Sequence, residues 1–156
     1  MKIKSVARTD QASRLINAPP RAIYRAFVDA VALAKWLPPR GMTAEIFAFE
    51  PRPGGAFRMA LTYEAAGQRG KTEDNRDVVE GRFVELVEGE RIVWAVTFKS
   101  DDPSFAGEMK MTWSFVPVPG GTEVTITAED VPPGISKEDH DAGLNSTLEN
   151  LAAFVE

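Results

Sequence analysis

Residues 50–61 read EPRPGGAFRMAL, and this stretch decides between two kinds of fold. Two glycines beside an arginine can belong to a phosphate-binding loop, but such a loop leads into a helix whose free N–H groups meet the anion. Here Phe57, Met59 and Leu61 recur at every second position, which is the period of a strand. We therefore interpret residues 53–55 as a tight turn between two antiparallel strands.

The same period of two extends over most of the chain. Short polar turns join successive segments of this kind, which predicts an antiparallel sheet. A polar stretch with two glycines, residues 64–76, reads as an exposed loop between two of the strands. The predicted strands are residues 13–16, 43–50, 56–63, 77–87, 91–98, 109–115 and 124–128.

Helical patterns occupy two other parts of the chain. Residues 17–30 have apolar positions four apart, and Asp29 is suited to cap a second short helix after them. The last segment follows a capping residue, Ser136, and is the only long helix predicted, so we expect it to cover the apolar face of the sheet. Its apolar stripe consists of His140, Leu144, Leu148, Leu151 and Val155.

Composition bounds the function classes. The 156 residues suggest a single domain over 1–156, with residues 1–12 loosely ordered. A net charge of -5 without a basic block argues against nucleic acid or an anionic membrane as a partner. The chain has no cysteine, which excludes disulfides and zinc–thiolate sites. No apolar run is long enough to insert across a membrane, and the N-terminus lacks a signal-peptide core, so we expect a cytoplasmic protein.

Four stretches resemble a known family. They are INAPPRAIYRAFVDAVALAKWLPP (16–39), FEPRPGGAFRM (49–59), GRFVELVEGERIVWAVTF (81–98) and HDAGLNSTLENLAAFV (140–155). They are similar to homologues of the C-terminal domain of the heat-shock-protein-90 ATPase activator. That family belongs to the superfamily of START domains, birch-pollen-allergen-like proteins and polyketide cyclases.

The resemblance implies an α+β helix-grip fold. In this fold a curved antiparallel sheet of six or seven strands wraps around a long C-terminal helix, two short helices follow the first strand, and a cavity lies between sheet and helix. Such sequences usually carry Gly-Trp in the last helix, whereas this chain has Gly143 and Leu144. An aromatic wall of the cavity is therefore expected to be missing. We also expect Gly143 to leave room for a ligand, to allow close packing, or simply to be tolerated.

Large apolar side chains are expected on the inner face of the sheet and on the covering helix. Any one of them fits an ordinary core, but methionine suits a surface that accepts varied apolar shapes, and a mainly apolar cleft is the usual small-molecule site. We therefore predict a cavity for a hydrophobic ligand. The predicted lining residues are Trp36, Phe57, Met59, Leu61, Phe83, Trp94, Met109, Met111, Trp113, His140, Leu144 and Leu148.

Three functions remain open from the sequence. The favoured one is binding of a hydrophobic or aromatic small molecule, lipid-like or polyketide-like, without a cofactor. The second is a cyclase, aromatase or hydrolase with His140 and Tyr63 as candidate catalytic residues; no nucleophile motif supports it. The third is a co-chaperone-like module that stimulates a heat-shock ATPase. No second metal ligand lies at helical spacing from His140, and an edge strand of the sheet could form a homodimer.

Overall fold

A computed structural model describes residues 8–38, 41–63, 76–98 and 102–156. Seven strands and three helices follow one another in the order that the sequence predicts, with one short 3₁₀ turn before the sixth strand. The elements are β1 (Thr9–Ile16), α1 (Pro20–Phe27), α2 (Ala30–Trp36), β2 (Met42–Phe49), β3 (Ala56–Tyr63), β4 (Arg76–Val87), β5 (Arg91–Phe98), the 3₁₀ turn (Pro103–Phe105), β6 (Met109–Val118), β7 (Gly121–Glu129) and α3 (Lys137–Val155).

The strands form one antiparallel sheet in the order β1-β7-β6-β5-β4-β3-β2. Consecutive strands from β2 to β7 are neighbours, as expected where short turns join them. Helices α1 and α2 carry the chain from β1, at one edge, to β2, at the other. The long helix α3 then follows β7, and the predicted α+β helix-grip architecture is confirmed.

Two boundary details differ from the sequence interpretation. Strand β1 begins at Thr9 and not at residue 13, because its full length pairs with β7 from Glu129 to Thr122. The segment 1–12, predicted to be loosely ordered, therefore contributes its last four residues to β1, while 1–7 lie outside the described residues. The predicted loop at 64–76 also lies almost entirely outside them.

A cluster of aromatic rings joins α1 and α2 to the sheet. The Phe27 ring of α1 lies 4.6 Å from the ring centroid of Trp36 and 4.7 Å from that of Trp113. The indole Nε1 of Trp36 donates a hydrogen bond of 2.8 Å to the Ala26 carbonyl, which satisfies its one donor inside the core. On the sheet the rings continue through Trp94, 5.6 Å from Trp113. This end of the interior is therefore densely filled.

Helix α3 packs mainly on β1, α1 and α2. Polar bonds hold its second half beside the end of α2: Thr147 Oγ1 donates to the Leu37 carbonyl at 3.2 Å, and Asn150 Nδ2 donates to the Pro38 carbonyl at 2.8 Å. Near its start, His140 is bonded to Asp10 of β1. These polar bonds thus hold the helix at the β1 edge and at α2, while Leu148 and Leu151 are buried in the core.

The turn at residues 50–55 is a compact backbone structure. The Gly54 N–H donates to the Phe83 carbonyl at 2.7 Å, and the Phe83 N–H donates to the Gly55 carbonyl at 2.8 Å, so β4 closes the turn. Gly54 has a φ of 82°, which favours glycine. A Cβ added at Gly55 would overlap the Glu50 carbonyl oxygen. The two glycines therefore serve the backbone, as a strand-to-strand turn requires.

We expect Gly55→Ala to lower the free energy of unfolding by about 1–3 kcal/mol, because the methyl group meets backbone that cannot move without breaking the turn. Urea unfolding followed by far-ultraviolet circular dichroism measures this.

The matched control is Gly143→Ala. This glycine lies inside α3, and a Cβ there has no atom within 4 Å. Alanine in a helix interior should therefore raise the free energy of unfolding by up to about 1 kcal/mol. Equal destabilisation by both substitutions would contradict this account of the two glycines.

Candidate functional site

An open pocket of about 840 Å³ lies between α3 and the sheet. Strands β2 to β6 contribute to its floor, and the first turns of α3 form one side. The lining residues are Leu37, Met42, Phe57, Met59, Leu61, Tyr63, Asp77, Val79, Trp94, Val96, Phe98, Phe105, Met109, Met111, Gly134, Ile135, Ser136, Asp139, His140, Ala142, Gly143, Leu144, Asn145, Ser146, Thr147 and Glu149.

The floor of the pocket is apolar and polarizable. All four methionines of the described ranges line it: Met42, Met59, Met109 and Met111. Unbranched methionine side chains adapt their shape to a contact more easily than branched ones. The floor is therefore built from side chains that can fit more than one apolar shape.

The structure brings nine of the predicted site residues together at the pocket. These are Phe57, Met59, Leu61, Tyr63, Trp94, Met109, Met111, His140 and Leu144. Side chains alternate along these strands as predicted, so every second residue of a strand faces the same side of the sheet.

Four predicted lining residues do not reach the pocket. Trp36, Phe83, Trp113 and Leu148 are almost fully buried elsewhere in the core. Trp36 and Trp113 belong to the aromatic cluster around Phe27, which fills the end of the interior under α1 and α2. Phe83 and Trp113 lie on strands of the sheet, whereas Trp36 and Leu148 lie on α2 and α3, and all four are buried where the interior is closed.

Gly143 faces the open space of the pocket. Leu144, at the position where the resemblance led us to expect tryptophan, is buried and also lines the pocket. Close packing, one of the roles that the sequence left open for Gly143, does not apply at a position with no atom within 4 Å of an added Cβ.

Three acidic residues line the pocket, and the described lining contains no lysine or arginine. Asp77 is the most buried of them, with 1% of its surface exposed, and Asp139 and Glu149 lie on α3. Sequence reasoning missed Asp77 as a pocket residue. Its signal was present, because Asp77 precedes Val79 by two positions and so shares the inward face of β4.

Asp10 and His140 form a buried polar pair beside the pocket. The carboxylate of Asp10 is 0% exposed, and its Oδ2 lies 2.6 Å from His140 Nδ1 and 3.0 Å from an Arg8 guanidinium nitrogen. Lys137 Nζ lies 3.7 Å from the other oxygen. The His140 side chain is 12% exposed and lines the pocket. Asp10 was also missed from the sequence, since β1 was predicted to start only at residue 13.

Two opposing effects set the pKa of Asp10. Burial raises it, but hydrogen bonds from His140 and Arg8, together with their charge, outweigh burial and leave the pKa of Asp10 below its ordinary value of 3.8. Asp10 is therefore a carboxylate at neutral pH and can only accept hydrogen bonds. His140 Nδ1 must therefore donate to it, and in the neutral form of the ring this leaves the lone pair on Nε2.

Within residues 8–38, 41–63, 76–98 and 102–156, no group of three or more histidine, aspartate or glutamate side chains is arranged to hold a metal ion. No helix of those ranges has the length and apolar character needed to cross a membrane.

Comparison with known proteins identifies a family and several solved structures of similar fold. The family model described as Activator of Hsp90 ATPase homolog 1-like protein matches residues 17–156. Comparison with curated protein sequences gives no match. A crystal structure of a protein from Chromobacterium violaceum is 38% identical, with a TM-score of 0.84 over 95% of this chain and 96% of that one.

More distant structures share the fold alone. A protein from Rhodobacter sphaeroides is 21% identical, with a TM-score of 0.76 over 97% of this chain and 95% of that one. An AHSA1-like protein from Aeromonas hydrophila is 17% identical, with a TM-score of 0.71 over 95% of this chain and 92% of that one.

Asp10→Asn should lower the free energy of unfolding at neutral pH by about 1–3 kcal/mol, since it removes a buried charged acceptor. Because the folded-state pKa of Asp10 is depressed, its contribution is complete above the unfolded-state pKa and is lost as the pH falls through the folded-state value. Urea unfolding between neutral pH and about pH 2 should show the difference from wild type shrinking toward zero at the acid end.

Asp141→Asn is the control for this comparison, because it makes the same chemical change one residue after His140, in an exposed ion pair with Lys137. It should cost no more than about 0.5 kcal/mol. A deficit of Asp10→Asn that stays constant down to the acid limit would contradict the assignment.

Proposed function

This chain belongs to the family of Activator of Hsp90 ATPase homolog 1-like proteins, and we propose that its pocket binds an uncharged small molecule that is mainly apolar and contains an aromatic ring. Membership of this family fits either a ligand-binding or a co-chaperone-like domain. The observation that favours ligand binding is an open space of about 840 Å³ over an apolar floor. Ligand pockets in proteins typically span about 300–1,000 Å³.

The floor supports an aromatic ligand. Phe57, Trp94, Phe98 and Phe105 supply ring faces and edges around the space, and the methionine sulfurs beside them make favourable contacts with aromatic rings. A flat ring placed here would bury its surface against both. The apolar area that it removes from water is the main source of affinity.

The charged side chains support an uncharged ligand. Asp77, Asp139 and Glu149 line the pocket and no described lining residue is a lysine or arginine, so the described lining offers no cation to pair with the carboxylate of a fatty acid or the phosphate of a lipid head group. Among the lipid-like and polyketide-like ligands that the sequence allowed, neutral molecules that contain a ring therefore fit this pocket.

The catalytic alternative has weaker support. Both of its candidates, His140 and Tyr63, line the pocket, but the chain has no nucleophile motif for a hydrolase. A cyclase, aromatase or hydrolase would use the same pocket and would first have to bind the same kind of molecule. Binding is thus the function common to both proposals.

Binding can be tested with N-phenylnaphthylamine, a neutral probe whose fluorescence rises in apolar surroundings. Gly143→Phe should weaken its binding at least about tenfold, because the ring would enter the open space at this position. Val116→Phe, at an exposed position on β6, is the matched control and should leave the affinity unchanged. Equal affinities of wild type and Gly143→Phe would contradict the proposal.

The co-chaperone alternative rests on the family description alone. It predicts that the chain raises the ATPase rate of the Hsp90 protein of its own host. Under our proposal, a coupled ATPase assay should show no increase with either wild type or Gly143→Phe. Stimulation that survives in Gly143→Phe would favour an interaction module independent of the pocket.

A further inference from the structure

We propose that Asp10 and His140 form a recognition site for a phenol, in which His140 Nε2 accepts a hydrogen bond from the hydroxyl group of the ligand. This inference rests on the proposed function, because it requires that the pocket take an aromatic molecule. It adds one defined polar contact and names the chemical class that this contact selects.

The tautomer of His140 follows from its partner. Asp10 is fully buried, and its Oδ2 is held by Nδ1 of His140 at 2.6 Å and by Arg8 at 3.0 Å. A carboxylate has no proton to give, so Nδ1 donates, and in the neutral imidazole this leaves the lone pair on Nε2. The hydrogen bond at one ring nitrogen thus decides the chemistry of the other.

The position of His140 leaves this lone pair for a ligand. The residue lies in the first turn of α3 and lines the pocket together with Leu144, one helical turn later. Within the described part of the chain, Nδ1 has a protein partner and Nε2 has none. An acceptor next to an apolar floor is costly to bury unless the incoming molecule donates a hydrogen bond to it.

A phenol offers both a ring for the apolar wall of the pocket and a hydrogen-bond donor for Nε2 of His140. Its ring suits the wall formed by Phe57 and Trp94, and its O–H is an uncharged donor that can reach an acceptor at about 2.5–3.0 Å. A carboxylic acid would be an anion beside Asp139, and an ether or a plain hydrocarbon would leave Nε2 unpaired. The selected class is therefore an aromatic ring that bears a free hydroxyl group.

Asp10 acts in this account as a positioning residue. It does not reach the ligand, but it holds the imidazole ring by one edge and keeps the proton on Nδ1. The interaction spans 130 positions of sequence and joins β1 to α3, so the recognising group is fixed to the sheet as well as to its own helix. A fixed acceptor discriminates between ligands better than one that can turn away.

The test compares 2-naphthol with its methyl ether, 2-methoxynaphthalene, by isothermal titration. The ether is the more apolar molecule, so a preference for naphthol cannot come from the apolar floor. Wild type should bind naphthol about tenfold more tightly than the ether. His140→Leu, which keeps an apolar side chain of similar length, should bind both with nearly equal affinity.

The outcomes separate this inference from the function on which it rests. Equal affinities for the two compounds in wild type, or a preference that persists in His140→Leu, would overturn the phenol site and leave apolar binding intact. If neither compound binds, the proposed function fails, and the phenol site fails with it. Circular dichroism of each variant shows whether the fold is retained.

Asp10→Asn tests the positioning role, with Asp141→Asn as the matched carboxylate-to-amide control on α3. Long-range ¹H–¹⁵N spectra of the imidazole report which nitrogen carries the proton. Wild type and Asp141→Asn should show an unprotonated Nε2 and the full preference for naphthol. Asp10→Asn should show a mixed tautomer and a smaller preference. An unchanged tautomer and preference in Asp10→Asn would overturn the role of Asp10.

Discussion

The packing of Phe27 against Trp36 and Trp113 divides the interior of this protein into two parts. Its ring lies within 5 Å of both indole rings, and α1 and α2 therefore close one end of the space over the sheet. Because these two helices are short, they cover only that end. The pocket lies beneath α3 over the remainder of the inner face, where Phe57 and Met111 line it. The pocket thus depends on where the aromatic cluster stops.

Helix α3 buries Leu148 and Leu151 in the core and is also held by polar bonds from its sides. Thr147 and Asn150 bond to the end of α2, and His140 bonds to Asp10 on the edge strand β1. None of these bonds needs a side chain from the middle strands, so the space over β3 to β6 can stay unfilled without freeing the helix. The same arrangement brings the Asp10–His140 pair to the border of the pocket, so one hydrogen bond supports the fold and, under our proposal, also selects the ligand.

Much of this could be predicted from sequence, because the alternation of side chains reports the face of a strand directly. Strand β3 runs from Ala56 to Tyr63 as predicted, and Phe57 and Met59 of this strand line the pocket. Alternation does not report the position along a face, so Trp113 could not be told apart from Met111. Asp10 was beyond sequence reasoning for another reason, because its partner lies 130 residues away and only the pairing of β1 with β7 brings them together.

The methionines allow a direct measurement of whether a small molecule binds between the sheet and α3. Met42, Met59, Met109 and Met111 all line the pocket, so ¹³C labelling of methionine methyl groups places reporters on its floor. Titration with 2-naphthol, followed by NMR, should shift these four signals together, with one common affinity. Binding that leaves all four signals unchanged would locate the ligand elsewhere and contradict the account.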